Sequence, residues 1–270
     1  MKLPGVVASI LCLCNPVLQS SAMAEMESHN FSPFPGFQTS VTTQDDKVLA
    51  ITNGNAQVLV ENISVIPEYA QETWVEDYNF DNHKEIAVST SIDKVGEDEL
   101  YHIFRWNPLA NRFDRMNFYS KLSNLEIIEA RQEIRSSYLS DKYWTEDTYR
   151  FLNGKPYLYS RSDLIAIDIW HTRVFDPSAR VIRSLVSEDG LVEKPPVPVI
   201  SRIKVPVANL YQAPLPSTIS DRVFTEDEIV TILDFSISMN DTLSWVLIRT
   251  EIGNKSVQGW TLLENLDLDY

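Results

Sequence analysis

The residues best suited to chemistry lie together in Asp77-Tyr-Asn79-Phe-Asp81-Asn82-His83-Lys84-Glu85. Oxygen-bearing side chains fall at positions 1, 3, 5 and 9 of this run, the spacing of a short calcium loop. Calcium is a hard cation that takes roughly six to eight oxygens, and alternate residues of a tight turn can aim several carboxylates at one centre. Asp77, Asn79, Asp81 and Glu85 would offer side-chain oxygens, and His83 its backbone carbonyl. The sixth position of such loops needs positive φ and normally holds Gly; here it is Asn82, the next most tolerant residue. Glu85 stands where a shorter Asp is more usual, which loosens the site. The competing reading of the same residues is a solvated acidic turn.

No other constellation forms a reaction centre. Cys12 and Cys14 both lie in the first 24 residues, so the rest of the chain has no thiol for a cysteine hydrolase. His29, His83, His102 and His171 are isolated, without a second His or a Cys at ligand spacing. Neither a His-Glu-x-x-His zinc motif nor a Gly-x-Ser-x-Gly elbow occurs. With 38 Asp+Glu against 23 Lys+Arg, carboxylate pairs abound and none singles itself out for glycoside cleavage. The chain reads as a binding protein, with a hydrolase acting through scattered carboxylates as the minor alternative. Most of the six tryptophans read as core. Trp144 sits in a polar stretch, and Ser140, Tyr143 and Trp144 are the candidate partner-contacting residues.

These residues need elements to hold them, and short-period alternation supplies strands. Val48–Thr52, 57–63, Glu85–Ser89, Tyr101–Trp106 and 112–118 read as strands, separated by Asn53-Gly54, Asn107-Pro108 and Asn153-Gly154 turns. Residues 149–159 read as a hairpin about Asn153-Gly154. Residues 126–137 alternate well enough for one long strand, with a helix as the other option. Phe104–Phe113 and Val174–Val181 echo one another as strand, Asx-Pro turn, strand. Two copies make similar hairpins, or chance reuse of a favoured turn, but not a repeat array. The expected fold is all-β: an antiparallel β-rich domain of hairpins, propeller-like or sandwich, followed by a smaller β unit.

The 270 residues are long enough for one or two domains, and 44% hydrophobic content supports a core. A net charge of −15 argues against nucleic acid, which needs a basic stripe. Met1-Lys2, an apolar run to Cys14 and small residues at Ala22-Met23-Ala24 read as a secretory signal over 1–24, removed on export. No later stretch approaches the length of a membrane helix, so no transmembrane segment is expected. Residues 25–46 are Pro/Ser-rich and expected to be a flexible N-terminal segment. A β-domain over 47–190, a Pro-rich linker over 191–198 and a small unit over 199–270 complete the division.

Two resemblances follow from particular residues. Trp74–Asp81, Tyr101–Phe113, Leu122-Ser-Asn-Leu125 and Tyr149–Lys155 occur in the order found in a family of periplasmic calcium-binding β-proteins that inhibit lysozymes, some of which are immunity proteins for secreted wall hydrolases. The resemblance covers about 47–164. It implies a calcium site at the Asp77 loop, a periplasmic location and a peptidoglycan hydrolase as partner. Family members often insert a Ser-Gly-aromatic loop into the target; the corresponding Ser136–Tyr143 has no Gly, which points to a target other than animal lysozyme. The tail, through Asn209-Leu-Tyr211, Ile229–Asp234, Ser244–Arg249 and Gly259-Trp260, resembles a bacterial SH3-like domain, which implies a small barrel that touches peptidoglycan or protein. A wall-binding scaffold is therefore the second function class beside the hydrolase inhibitor.

Overall fold

The computed structural model describes residues 28–44, 46–62, 72–92, 99–140, 143–188, 197–237, 243–253 and 255–268. The expected signal, 1–24, and residues 191–196 of the linker lie outside these. Among the described residues the chain is nearly all strand, in four antiparallel sheets. No helix is long and apolar enough to cross a membrane among them.

The first sheet is a meander of β1 (His29–Phe31), β2 (Thr39–Gln44), β3 (Lys47–Thr52) and β4 (Asn55–Glu61). The second runs β5 (Thr73–Glu76), β6 (Glu85–Ile92), β7 (Glu99–Asn107), β8 (Arg112–Arg115), with β9 (Leu122–Ser123) sharing the outer edge of β7. The third is a six-stranded meander, β10 (Glu126–Ile128), β11 (Glu133–Ser140), β12 (Tyr143–Leu152), β13 (Lys155–Ala166), β14 (Ile169–Phe175) and β15 (Val181–Ser187). The fourth comprises β16 (Ile200–Arg202), β17 (Val207–Tyr211), β18 (Ile219–Thr225), β19 (Ile229–Ile237), β20 (Ser244–Ile252) and β21 (Lys255–Leu262), in the order β16-β19-β20-β21-β17-β18. It is an open sheet rather than the closed barrel the resemblance implies.

Alternation explains how the sheets stack. On β6 and β7, Ile86, Val88, Phe104 and Trp106 face the first sheet and pack on Val41, Val48 and Ala50. The intervening Ala87 and Ile103 face the third sheet, where Ile134, Tyr149 and Leu158 meet them. The second sheet is thus buried on both faces, and the all-β, antiparallel expectation holds. At the far end of the third sheet Ile165, Ile169 and Val186 join Val199, Ile203, Phe224, Val246 and Leu266 in one core. The C-terminal sheet therefore shares its hydrophobic interior with the β-domain.

Part of the stretch that composition marks as flexible, residues 29–44, forms β1 and β2. Phe31 and Phe37 anchor it against the first core, and Ser32 Oγ donates to the carbonyls of Phe34 and Phe37 to hold the Pro-containing turn. Residues 126–137 are neither one strand nor a helix. A 3-10 turn at Glu129–Arg131 and left-handed Gln132 (φ 55°) divide them into β10 and β11. The two echoing hairpins are alike in structure. Asn107 Oδ1 accepts from the N–H groups of Leu109 and Ala110 at 3.1 Å, and Asp176 Oδ1 from those of Ser178 and Arg180 at 2.9 and 3.1 Å.

Asn153 (φ 52°) and Gly154 (φ 69°) close β12–β13 with the two left-handed residues a type I′ turn requires. The Gly154 carbonyl also accepts from Arg105 Nη1 of β7 at 2.9 Å, tying the second sheet to the third. A Cβ on residue 154 would lie 2.3 Å from that nitrogen. Gly154→Ala should therefore cost about 1–3 kcal/mol, from the left-handed backbone and the displaced Arg105. Chemical denaturation of the two proteins measures it, and an unchanged midpoint would show the tie to be dispensable.

Candidate functional site

β5 and β6 pair as far as Glu76↔Glu85, leaving residues 77–84 to close the connection. With no regular pairing inside it, the loop must satisfy its own N–H groups, and the acidic side chains accept them. Asp77 Oδ1 accepts from Asp81 N at 3.1 Å and Oδ2 from Asn82 N at 2.7 Å. Asn79 Oδ1 accepts from Asp81 N at 3.0 Å, and Asp81 Oδ1 from His83 N at 2.9 Å. Asn82 takes φ 66°, as its position requires, while Phe80 is left-handed as well, φ 61°. An aromatic residue pays about 1–2 kcal/mol for that backbone, and its ring packs edge-on to Phe151 at 5.9 Å. His83 is stacked on Phe34 at 4.9 Å, so the N-terminal turn lies against the loop.

Glu85 differs from the others. Its side chain is buried beneath the loop, where Oε2 accepts from the N–H of Tyr78 at 2.9 Å and of Asn79 at 3.3 Å, and Oε1 from Asn79 Nδ2. Burial pushes its carboxyl up to about 8; the charges of Asp81 and Asp77 act in the same direction and the two backbone donors oppose them. A desolvated carboxyl beside two more carboxylates is a donor set suited in kind to a hard cation. In arrangement the loop is closed on itself: among the described residues no three His, Cys, Asp or Glu side chains converge closely enough to hold a metal ion.

The other sequence candidates lie elsewhere, on the β11–β12 hairpin. Ser140 pairs with Tyr143 at its end, and Leu139 pairs with Trp144. Tyr143 turns inward, its ring edge-on to Phe235 at 6.0 Å and its hydroxyl 3.4 Å from Ser244 Oγ. Leu139 and Trp144 point to the opposite face and are 52% and 36% exposed. The hairpin thus presents an apolar pair outward while Tyr143 moors it to the C-terminal sheet. The structure does not bring this pair together with the Asp77 loop into one site.

Sequence reasoning missed the polar band behind the hairpin. Asp147, fully buried, is held by Arg161, whose Nε and Nη2 donate to its two oxygens at 2.7 Å each. Ser120 Oγ donates to the same carboxylate at 2.6 Å and Tyr138 Oη at 3.1 Å. Burial, and then the Asp147 charge, push the Tyr138 phenol up to about 12. Next along the sheet, Asp163 accepts from Thr145 Oγ1 and Arg173 Nη2 at 2.8 Å.

His171, Ser184 and Asp234 have the residue types of a hydrolytic triad but not its wiring. Both Ser184 Oγ, at 2.9 Å, and Asp234 Oδ1, at 3.0 Å, meet the same nitrogen, Nε2, whereas a relay needs serine and acid on opposite nitrogens. Ser184 Oγ also donates to Asp234 at 2.8 Å, so the trio works as a bracket between the third and fourth sheets. No family model matches the chain, and comparison with curated proteins and with solved structures finds no match either.

Proposed function

We propose that the protein is a non-enzymatic inhibitor or immunity protein of the periplasm that binds and blocks a peptidoglycan hydrolase; calcium would brace the Asp77 loop only once Asp77 and Asp81 turn from the loop's own N–H groups towards the ion. The observation that carries this reading is the outward Leu139–Trp144 pair, Leu139 within and Trp144 one residue beyond the Ser136–Tyr143 segment that corresponds to the family's target-contacting loop. A large aromatic on a rigid hairpin is the kind of anchor that dominates interface energetics. Rigidity here comes from Tyr143 on Phe235 and from the Asp147–Arg161 pair behind the strand. The excess of negative charge would speed encounter with a basic hydrolase.

A wall-turbidity assay with muramidases and amidases tests the proposal. The protein should suppress lysis by its target, and Trp144→Ala should weaken suppression by about 30-fold or more, as loss of an interface hot spot of at least 2 kcal/mol implies. If lysis proceeds unchanged with every enzyme, the inhibitor reading is lost.

One feature favours the wall-binding scaffold as a second reading. Tyr211, Arg222, Leu247, Gln258 and Trp260 line a groove on the C-terminal sheet, with Tyr211 and Trp260 as cross-strand partners. Sedimentation with purified wall separates the readings: Trp260→Ala should abolish pelleting in the scaffold case and leave inhibition intact in the other.

A further inference from the structure

The outer edge of β7 is divided between two strands. β8 pairs with residues 104–107 and β9 with residues 100 and 101, and Met116 N still donates to the Ile103 carbonyl at 2.8 Å, so the gap between the two strands lies at His102. Residues 117–121 arch away from the sheet across this gap and leave a cavity of about 280 Å³. Leu100, on the same side of β7 as His102, and Phe118 of the arch supply an apolar lining. Arg115 and Lys121 stand at the two ends of the arch, and His102 comes from the strand beneath.

Within a chain of charge −15, the cavity gathers three basic side chains. Among the described residues, Glu99 takes the Tyr101 hydroxyl, Asp114 takes Arg112 Nε at 2.8 Å and Asn107 Nδ2 at 2.7 Å, and Asp147 is held by Arg161. Among the described residues Arg115 and Lys121 have no ion-pair partner. Burial, and then the Arg115 charge, hold the His102 imidazole below its ordinary pKa. His102 Nδ1 lies 3.1 Å from the Tyr101 carbonyl and donates to it, which orients the ring. The arch itself is fixed, because Ser120 is hydrogen-bonded to the buried Asp147 and Tyr149.

We propose that this cavity binds a small amphipathic carboxylate, with the carboxylate between Arg115 and Lys121 and the apolar group against Leu100 and Phe118. The size, at the lower end of ligand pockets, suits an acylated amino acid rather than a cofactor. This site is separate from the Trp144 face and does not depend on the inhibitor reading.

Calorimetric titration of the purified protein with N-acetyl-leucine, N-acetyl-leucinamide and acetate tests it. The acid should bind at least tenfold tighter than the neutral amide, and tighter than acetate, with affinity falling as salt is added. Arg115→Gln with Lys121→Gln should weaken the acid by about 10- to 100-fold, the scale of hydrogen bonds to charged groups. The charge-keeping pair Arg115→Lys with Lys121→Arg should retain most binding, which separates lost charge from a damaged fold. Equal affinity for acid and amide, full binding by the doubly neutral variant, or no saturable binding by the parent would overturn the proposal. Acetate binding as tightly as N-acetyl-leucine would remove the apolar half of it.

Discussion

Arg161→Leu should destabilise the protein by about 3–5 kcal/mol, among the largest effects of any single substitution, because it strands the Asp147 carboxylate inside the third sheet. The carboxylate side chain is fully buried, and Ser120, Tyr138 and Tyr149 can supply only neutral hydrogen bonds once the guanidinium is gone. Replacing both partners by leucine removes the stranded charge, so the double variant should recover much of the loss. Denaturant unfolding of the four proteins gives the coupling energy. Simple additivity, with the double variant worse than either single, would show that the pair is not a unit.

The second large effect concerns Glu85 in the presence of a chelator. Its carboxyl is raised from an ordinary 4.5 to about 8 by burial and by Asp81 and Asp77. Below pH 4.5 folded and unfolded chains both hold the proton, and the contribution to stability is complete. Between pH 4.5 and 8 the unfolded chain releases the proton and the fold retains it, so stability falls by about 1.4 kcal/mol per pH unit. The full span amounts to roughly 5 kcal/mol. Glu85→Gln should flatten this slope, at a cost near 1 kcal/mol in acid where the amide fits the Tyr78 and Asn79 donors less well. Calcium added at pH 8 should raise the melting temperature of the parent and do so far less for the variant, since a cation at the loop favours the ionised carboxylate. An equal slope in both proteins would remove Glu85 as its cause.

Much of the fold is legible because turn chemistry is local. Asn53-Gly54 and Asn153-Gly154 sit at left-handed positions whatever surrounds them, and the two Asx-Pro hairpins make the same side-chain-to-backbone bonds. The Phe31–Val41 region misleads because its Ser and Pro residues suggest disorder, while its order comes from Phe31 and Phe37 meeting a core formed by distant strands. The polar band is hidden for a different reason. Counting back from the Asn153-Gly154 turn, simple reflection places Asp147 opposite Ser160. A bulge after Thr148 shifts the register by one residue and sets Asp147 against Arg161 instead. The basic cavity is likewise invisible in sequence, since it depends on β8 and β9 sharing one edge of β7 and leaving a gap.

The core common to the third and fourth sheets fixes the geometry of the two proposed contact faces. Ile165, Ile169 and Val186 are continuous with the interior of the C-terminal sheet, and the His171–Asp234 contact closes over them. The Trp144 face and the Trp260 groove are consequently mounted like the jaws of a caliper, at a span set by packing and not by a tether. A partner long enough to engage both would meet the second contact without the loop-closure entropy that a flexible linker imposes. One too short, or differently shaped, would lose the second contact entirely. Span, as much as chemistry, then becomes a criterion of recognition.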